Sequence, residues 1–415
     1  MKPNHWLRLL TITSLLSFVT GDAFADEKQP LRIYILAGQS NMQGHAEVRT
    51  FDAMRLNPAT APLLKKMVDT NGSPRVCRRV WITSIGSADQ EQTGQLTAGF
   101  GAQGRGPKIG PEFTFGITME DNTEGPILVI KTAWGGKSLN TDFRPPTAGP
   151  YEFSDTQLQQ FRDQKKDIDQ IQAEKKNQTG HYYRLMIDHV KSVLKNPGRV
   201  CPDYDAEAGY QLAGFVWFQG WNDMVDRGTY PERDQPDGYH QYSQLLTQFI
   251  HDVRKDLSAP ELPFVIGVLG VGGPVREYGP DQKRYSAVHQ NFRDAMAAPA
   301  SLPEFRGNVT AVLTENYWDQ EVTQLRARER DLKPQQDEIE QAIKSGQLSK
   351  TDGQAAIEKL YAEHFSERER TLMRDSVSNA EFHYLGSAGI TGQIGQAFAQ
   401  ALLTMEASTG TPPNN

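Results

Sequence analysis

The chain has 415 residues, of which 38% are hydrophobic and 23% are charged, and its formal net charge is -7. This length suffices for a large α/β core or two small domains, and the negative balance gives no basic surface of the kind that binds nucleic acid. No CxxC or HExxH pattern occurs, so the sequence predicts no protein-built metal site.

The N-terminal segment has the pattern of a secretory signal peptide. A positively charged start is followed by an apolar stretch over residues 9–19 and by a small-residue cleavage site, A-F-A, at residues 23–25. The apolar stretch is too short to span a bilayer comfortably, which favours cleavage over an uncleaved anchor. We therefore predict a signal peptide over residues 1–25 and an exported mature protein, periplasmic or secreted, with no membrane attachment.

Short apolar runs rich in Val and Ile alternate with helical patterns along the rest of the chain. The predicted strands are Leu31–Ala37, Pro126–Ala133, Ala213–Phe218, Pro263–Gly270 and Asn308–Thr314. The predicted helices are His181–Lys195, Tyr239–Leu257, Tyr285–Ala297 and Ile390–Met405. Continuous apolar strands suit a sheet covered on both faces, so the alternation predicts a doubly wound α/β fold with a mostly parallel, five-stranded sheet. Ligands bind such sheets at the carboxyl ends of the strands.

Residues 26–407 are predicted to form one domain that carries two helical insertions. The segments at about 154–178 and 319–376 are polar and charged. The second is expected to be a helical hairpin with a thin apolar stripe, and a solvated structural arm is favoured over a partner-binding surface. Residues 408–415 are expected to form a disordered tail.

The first predicted strand runs into the sequence Gly38-Gln39-Ser40-Asn41-Met42. A serine that directly follows a buried strand lies at the mouth of the sheet. If a helix begins at Asn41, its unpaired N–H groups point toward the serine oxygen and can stabilise negative charge there. This arrangement favours a nucleophile whose attack creates an oxyanion, and an N-cap or turn serine is the alternative on local grounds.

The second and third predicted strands end in segments that can supply hydrogen-bond donors. Gly135 and Gly136 follow the second strand, and paired glycines let backbone N–H groups approach a ligand closely. Gln219 and Asn222 follow the third strand, where their amides can serve an oxyanion or satisfy loop backbone groups instead. His383 lies just before the last helix, in the position of a general base, although a lone histidine is more often structural.

Together these blocks resemble the SGNH hydrolase superfamily, and more closely its sialate O-acetylesterase and acetylxylan esterase branch. Gly38–Met42 matches the GQSNM of that branch in full, Gly220–Asp223 matches the GxND of the superfamily, and Trp217–Gly220 matches the WxQG of the branch. The segment Gly110–Glu112 is similar to a GPE segment of the same branch. The blocks occur in the expected order and span nearly the whole mature chain.

The resemblance implies a flavodoxin-like SGNH fold and a serine esterase that removes acetyl groups from a carbohydrate without a cofactor. The implied catalytic residues are Ser40 as nucleophile, His383 as base, and Asn222, Gly135, Gly136 and Gln219 as donors to the oxyanion. The residues predicted to contact substrate are Gln39, Asn41, Trp134 and Trp221. Indole faces stack well on sugar rings, although these tryptophans, and Trp318 with them, can equally be core aromatics.

One position departs from the pattern of the family, which places an aspartate three residues before the histidine. This chain has Ala380 there. Candidates for the acid that orients His383 are Glu381, Asp223 and Glu315, and a backbone carbonyl that leaves a Ser–His dyad is a fourth. The dyad with a carbonyl or a weakly placed Glu381 is favoured, because the local sequence supplies no acid at the usual offset.

Two other functions stay open on sequence grounds. A carbohydrate-binding pseudoenzyme on the same fold is motivated by Ala380, and release of acetate distinguishes an enzyme from it. An exported lipase or thioesterase on the same scaffold would prefer long acyl chains. The substrate is expected to be an acetylated polysaccharide or a sialic acid-like sugar, and the sequence leaves protein partners unknown.

The chain has two cysteines, Cys77 and Cys201. An oxidising compartment allows them to form one disulfide, but sequence alone does not show whether they are close enough in space. The sequence therefore leaves their pairing open.

Overall fold

The structure is a computed structural model that describes residues 28–408 and Gly410. The predicted signal peptide over residues 1–25 lies outside the described residues, as does the predicted tail apart from Ser408 and Gly410. No helix within the described ranges is both long enough and apolar enough to cross a membrane.

The described residues contain one large sheet and one small one. The strands are β1 (Leu31–Gly38), β2 (Ala46–Glu47), β3 (Val80–Gly86), β4 (Gln92–Gln95), β5 (Lys108–Ile109), β6 (Ile127–Ala133), β7 (Tyr210–Phe218), β8 (Phe264–Val268) and β9 (Val309–Leu313). The large sheet has the order β4-β3-β6-β1-β7-β8-β9, and β2 pairs with β5. All neighbouring pairs in the large sheet are parallel except β3 and β4. The predicted mostly parallel α/β fold is confirmed.

The large sheet has seven strands rather than the predicted five. The five predicted strands are all present, as β1, β6, β7, β8 and β9. Strand β3 was missed because Thr and Ser interrupt its apolar run, and only part of it is buried. Strand β4, with the sequence QTGQ, contains no apolar residue and pairs antiparallel at the sheet edge. Such an edge strand carries no burial pattern that a sequence could reveal.

Helices occur where the helical patterns predict them and at further places. They are α1 (Ser40–Gln43), α2 (Phe51–Met54), α3 (Ala61–Met67), α4 (Pro111–Asn122), α5 (Asp155–Asp163), α6 (Ile168–Gln178), α7 (His181–Lys195), α8 (Trp221–Val225), α9 (His240–Asp256), α10 (Ser286–Ala297), α11 (Gln320–Asp331), α12 (Lys333–Lys344), α13 (Lys350–His364), α14 (Glu367–Asp375) and α15 (Ala388–Ser408). The four predicted helices are α7, α9, α10 and α15. The first polar segment forms α5 and α6, and the second forms α11 to α14.

Helices cover both faces of the large sheet. Successive side chains of a strand point to opposite faces, so neighbouring residues of one strand pack on different helices. Trp217 of β7 packs on Phe249 of α9, with ring centroids 4.3 Å apart. The next residue, Phe218, packs on Phe398 of α15 at 5.3 Å. A strand that is covered in this way has apolar residues at consecutive positions, which explains the continuous apolar runs in the sequence.

The register of the three central strands brings their carboxyl ends to one level. Gly38 of β1 is paired with Ala133 of β6 on one side and with Phe218 of β7 on the other. A Cβ atom at Gly38 would lie 2.1 Å from the carbonyl oxygen of Phe218, so a larger residue there would push the strands apart. The loops after β1, β6 and β7 therefore leave the sheet side by side, which is where ligands bind in such folds.

Cys77 and Cys201 are both buried and free, so they do not form the disulfide that the sequence left open. Burial raises the pKa of the Cys77 thiol far above its usual range, and it raises that of Cys201 to about 11. Both thiols are therefore uncharged and unreactive near neutral pH.

Candidate active site

A cavity of about 610 Å³ opens at the carboxyl ends of β1, β6 and β7. The predicted site residues that line it are Gln39, Ser40, Gly135, Gly136, Trp221, Asn222 and His383. His45, Ser87 and Phe382 line it as well, and the sequence analysis did not single them out. Among the described residues that form its wall, none is Asp, Glu, Lys or Arg.

Ser40 is the first residue of α1, directly after the end of β1. Its hydroxyl makes no hydrogen bond within the described part of the chain, and it faces the cavity. Its backbone N–H lies in the first turn of α1, where N–H groups have no partner inside the helix. A Cβ atom on Gly135 would lie 3.8 Å from the Cβ of Ser40, so a glycine leaves the space beside this serine open.

Asn222 presents its amide nitrogen to the cavity. The Gln39 side chain donates from Nε2 to Asn222 Oδ1 at 3.2 Å, which occupies the oxygen and turns the nitrogen of the same amide away. Gln39 is itself oriented, because its Oε1 accepts a hydrogen bond from the Gly220 N–H at 2.9 Å. Gln39 therefore orients Asn222, and because it also lines the cavity, its contact with substrate stays a prediction.

The two glycines after β6 form another part of the wall. The Gly135 N–H donates to Ser87 Oγ at 3.0 Å, and Ser87 is an exposed residue. A substrate oxygen that displaces this hydroxyl would accept the same hydrogen bond. Gly136 has a φ of 72°, a left-handed conformation in which a side chain is strained.

Gln219 and Asp223 lie behind the wall of the cavity. Gln219 Nε2 donates to Asp223 Oδ2 at 2.6 Å, and Asp223 also accepts from the backbone N–H groups of Leu139 at 2.8 Å and Asn140 at 3.0 Å. Burial raises the pKa of the Asp223 carboxyl to about 6. Gln219 was predicted as an oxyanion donor, but its buried amide instead ties the loop after β6 to the loop after β7.

A buried ion pair stabilises the end of α1. Lys131 of β6 and Glu112 of α4 have side chains that are 1% and 0% exposed, and Nζ lies 2.7 Å from Oε2. The ammonium also donates to the carbonyl oxygens of Gln43 at 2.7 Å and Phe100 at 2.9 Å. Buried charges are stable only when they are paired and hydrogen-bonded in this way. The pair therefore joins β6, α4 and the end of α1.

His383 enters the cavity from a tight 3₁₀ turn over Glu381–Gly386. Tyr384 and Leu385 in this turn have φ angles of 52° and 60°, which are uncommon for residues other than glycine. The buried Tyr384 hydroxyl accepts from the Gly270 N–H at 2.8 Å and shares a hydrogen bond with Thr314 Oγ1 at 2.6 Å. These contacts hold the turn against the ends of β8 and β9 and maintain its unusual backbone.

The protonation of His383 follows from its neighbours. His383 Nδ1 lies 3.0 Å from Asn379 Oδ1, and the same oxygen accepts the Ala380 N–H at 2.8 Å. Because a backbone N–H can only donate, the shared atom of Asn379 must be its oxygen, and Nδ1 carries the proton. Burial lowers the pKa of His383 to about 4, so the ring is neutral at pH 7 with Nε2 free. That is the form in which a histidine acts as a general base.

None of the three acids predicted to orient His383 contacts it within the described chain. Asp223 is committed to the buried network, and Glu315 forms an ion pair with a buried arginine. Glu381 is exposed and faces a separate cavity of about 210 Å³. Asn379, which the sequence analysis missed, supplies the oxygen instead. Its signal in the sequence is weak, a polar residue one place before the usual aspartate position.

Some of the residues predicted to contact substrate line the cavity, and others do not. Trp134 and Trp318 are buried in the core, 1% and 6% exposed, and neither lines the cavity. Asn41 is also buried behind it, and neither of its amide atoms has a hydrogen-bond partner among the described residues. Trp221 does line the cavity, beside the exposed ring of Phe382 at 5.7 Å.

A second histidine lies against the first. The rings of His45 and His383 are stacked with centroids 3.8 Å apart and planes 2° apart. Burial lowers the pKa of His45 to about 3, and its Nε2 is buried without a hydrogen-bond partner in the described structure. His45 follows shortly after the GQSNM block, but no local pattern indicates that it meets a residue more than 300 positions away.

The cavity thus brings together a free hydroxyl, a neutral imidazole with an open nitrogen, and amide donors. No hydrogen bond joins the Ser40 and His383 side chains in the described structure, and such contacts commonly tighten only when substrate binds. Across the described chain no three His, Cys, Asp or Glu side chains are grouped so as to hold a metal ion. The arrangement is suited to acyl transfer to a serine.

Comparison with known proteins identifies a family for this chain. A family model described as "carbohydrate esterase, sialic acid-specific acetylesterase" matches residues 30–305, which include Ser40, Gly135 and Asn222 but not His383. No curated protein sequence gives a significant match.

Several solved structures are similar to this one, and two of them are as follows. One is a protein from Arabidopsis thaliana with 16% sequence identity and a TM-score of 0.37, and the match covers 69% of this chain and 86% of that protein. The other is a novel carbohydrate acetylesterase from Xanthomonas citri with 13% identity and a TM-score of 0.37, covering 69% of this chain and 51% of that one.

Proposed function

The chain belongs to the carbohydrate esterase family of sialic acid-specific acetylesterases, and we propose that it removes O-acetyl groups from an uncharged carbohydrate through an acyl-enzyme on Ser40. Membership makes it a carboxylic ester hydrolase; the catalytic residues, the acyl-enzyme and the substrate class are the proposal. The proposal rests on one observation: one cavity is lined by the Ser40 hydroxyl, the unprotonated Nε2 of His383 and the Asn222 amide.

In the first step His383 Nε2 takes the proton of the Ser40 hydroxyl while Oγ attacks the ester carbonyl carbon. The carbonyl oxygen becomes an oxyanion, which accepts hydrogen bonds from the Asn222 amide and the Ser40 N–H, and from the Gly135 N–H once Ser87 is displaced. The imidazolium then gives its proton to the sugar oxygen, the carbon–oxygen bond to the sugar breaks, and acetyl-Ser40 remains.

In the second step His383 takes a proton from water, and the hydroxide attacks the acetyl carbonyl carbon. The same donors hold the second oxyanion. Protonation of Ser40 Oγ by the imidazolium breaks the acyl bond and releases acetate. In both steps the Asn379 oxygen accepts the hydrogen bond from Nδ1 and so keeps the proton of the resting histidine away from Ser40. This scheme is that of the SGNH hydrolases, which the motif blocks resemble.

The charges around the cavity favour an uncharged sugar over a sialic acid. A sialic acid carries a carboxylate, which proteins usually bind with Arg or Lys. Neither residue occurs in the described cavity wall, and both histidines there are neutral at pH 7 because burial lowers their pKa values to about 3 and 4. Lys108 is close to the wall but does not line the cavity, and its ammonium donates to the Gln103 carbonyl oxygen at 3.4 Å.

Acetate release from a panel of acetylated glycans tests the proposal. We expect release from neutral acetylated polysaccharides such as acetylated xylan, at least tenfold faster than from O-acetylated sialic acid under the same conditions. A fluorophosphonate should label Ser40 and no other serine. Faster turnover of the sialic acid would contradict the substrate class, and labelling elsewhere would contradict the nucleophile.

The same assay separates the alternative functions. Aryl esters of increasing chain length should be hydrolysed best as acetate, and a preference for octanoate would indicate a lipase or thioesterase. Glycan binding without any release of acetate would indicate a pseudoenzyme.

Export is the remaining part of the proposal. It rests on the signal-peptide pattern over residues 1–25. N-terminal sequencing of the protein recovered outside the cytoplasm should begin at Asp26, whereas a protein that retains Met1 in the cell would contradict export.

A further inference from the structure

Among the described residues of the cavity wall, His45 is the one titratable residue to which the proposed mechanism gives no role. It lies two residues after the end of α1, and its backbone carbonyl oxygen accepts a hydrogen bond from Ser378 Oγ at 3.2 Å. Ser378 Oγ lies 2.7 Å from the Gly386 carbonyl oxygen as well, at the end of the turn that carries His383. The Ser378 side chain therefore connects the segment that bears His45 to the turn that bears His383.

The general base lacks the support that a carboxylate usually gives. A buried carboxylate both orients the imidazole of a catalytic histidine and stabilises the imidazolium that forms during the reaction. Within the described chain the ring of His383 has instead one hydrogen bond, to the neutral oxygen of Asn379. This one hydrogen bond at Nδ1 restricts rotation of the ring about its Cβ–Cγ bond only within the angular tolerance of a single hydrogen bond.

We propose that His45 is a positioning residue for the general base, whose ring holds the plane of His383 so that Nε2 faces Ser40. The inference rests on the proposed function, in which His383 is the base. Its geometry is that of a clamp: His45 lies flat on one face at 3.8 Å, and Phe382 approaches His383 at 4.4 Å with planes 66° apart. Together with the Asn379 hydrogen bond, these contacts define both the position and the plane of the ring.

The stack also suits the charge that develops during the reaction. When His383 takes the serine proton, its positive charge lies against the face of a neutral aromatic ring, which is a favourable contact. His45 stays neutral because it is buried and faces the ammonium groups of Lys108 and Lys131 as well as His383, and all of these oppose a second positive charge. The proton therefore resides on His383 and not on its neighbour.

Two substitutions of His45 separate a role of its ring face from a role of its nitrogens. His45→Phe keeps a flat aromatic face, whereas His45→Ala removes it. We expect His45→Ala to lower kcat for acetate release at least tenfold with KM changed less than twofold, and His45→Phe to keep at least a third of wild-type kcat. His251→Ala is the matched control, because that histidine packs on Phe305 at 4.9 Å outside the cavity and its loss should change neither constant.

The rate at which a fluorophosphonate labels Ser40 provides a second measurement that needs no natural substrate. If wild-type Ser40 is not labelled, the proposed function fails and not this inference. If Ser40 is labelled, His45→Ala should slow the labelling in proportion to kcat, and His45→Phe should restore it.

Three outcomes would overturn the inference. They are a His45→Ala protein with wild-type kcat, equal losses in the Ala and Phe proteins, and a loss confined to KM. Equal losses would assign the effect to the nitrogens of His45 rather than to its ring face, and a loss confined to KM would make His45 a substrate-binding residue. Should His45→Ala fail to fold in a thermal melt, His45→Leu replaces it, because leucine fills the space without offering a flat face.

Discussion

The two halves of the proposed active site are held in different ways. The serine half comprises Ser40, Gly135 and Asn222, and it stands on buried hydrogen bonds made by Gln39 and Asp223. The histidine half is the turn over residues 379–386, which is partly exposed and holds its base with one side-chain hydrogen bond and a ring stack. Buried polar networks of the first kind are rigid because every member is satisfied, whereas the second kind depends on a few contacts.

The difference fits what each half has to do. Donors to an oxyanion are effective only when they already point to the place where charge develops, so they benefit from a rigid, buried framework. A general base has to keep one nitrogen unprotonated and aimed at the nucleophile, and a tautomer can be set by one acceptor. Substitutions of residues that support the serine half should therefore cost more than those of residues that support His383.

The largest effect is expected at the nucleophile. Ser40→Ala should lower kcat at least about 1000-fold, since losing the nucleophile leaves only the residual effect of binding and the oxyanion donors. The thermal melt should stay nearly unchanged, because the hydroxyl makes no hydrogen bond in the described structure. Ser87→Ala, in the same cavity, is the control and should retain most activity. Comparable losses in both proteins would mean that Ser40 is not the nucleophile.

Removing the amide of the serine half comes next. Asn222→Ala should lower kcat by about 100- to 1000-fold, a loss of about 3 kcal/mol of transition-state stabilisation, with little change in KM. Asn222→Asp, which has the same shape and a negative charge, should be at least as slow. Steady-state kinetics decide the point, and a rise in KM at constant kcat would make Asn222 a substrate-binding residue.

Asp223 tests the framework behind the donors. Asp223→Asn replaces one acceptor oxygen by an NH2 group, which then faces N–H groups that need an acceptor, so the free energy of unfolding should fall by about 2 to 3 kcal/mol. Glu381→Gln, a change of the same kind at an exposed carboxylate, should leave stability and kcat unchanged. Chemical denaturation measures the free energy of unfolding of both variants, and steady-state kinetics measure kcat. Equal stability of the two variants would refute the rigid-framework interpretation.

Asn379 tests the histidine half. Loss of one hydrogen bond in Asn379→Ala should lower kcat about tenfold, in line with a net value of about 1.4 kcal/mol. The wild-type kcat/KM should fall only as pH drops through about 4, because burial lowers the pKa of His383 to that value and the neutral ring is the active form.

Asn379→Asp places a carboxylate beside His383. This charge favours the imidazolium and raises the pKa of His383, so the loss of kcat/KM in acid should begin at a higher pH than in the wild type. A pH–rate profile from pH 3.5 to 8 shows the shift. An unchanged profile would mean that His383 does not act as the base or that residue 379 does not contact it.

The smallest effect is expected at Phe382, an exposed residue in the cavity wall. Phe382→Ala removes an exposed ring, 41% accessible, that lies beside Trp221 and can stack on a sugar. We expect KM for an acetylated polysaccharide to rise about fivefold, or about 1 kcal/mol, and KM for a small aryl acetate to change less. Equal changes of KM for both substrates would show that the ring does not stack on the sugar, whereas its contact with His383 would appear as a loss of kcat common to both substrates.

Much of the fold could be predicted because it depends on local patterns. All five predicted strands and the four predicted helices are present, and the family assigned from the motif blocks is confirmed by the match over residues 30–305. Strands β3 and β4 were missed because the first is only partly buried and the second is a polar edge strand. The predicted strand ends do meet in one cavity, since parallel strands in register deliver their loops to the same edge.

The sequence by itself therefore determined which residues lie at the mouth of the sheet, with Ser40, Gly135 and Asn222 among them. Only the tertiary structure decided which of the polar residues there face the cavity, and it assigned Gln219 and Asp223 to the framework. It also decided the partners of His383. Asn379 and His45 reach that ring through a turn with two left-handed residues and through packing between distant segments. Side-chain direction in such a turn follows from long-range contacts, and no periodic pattern in the sequence encodes it.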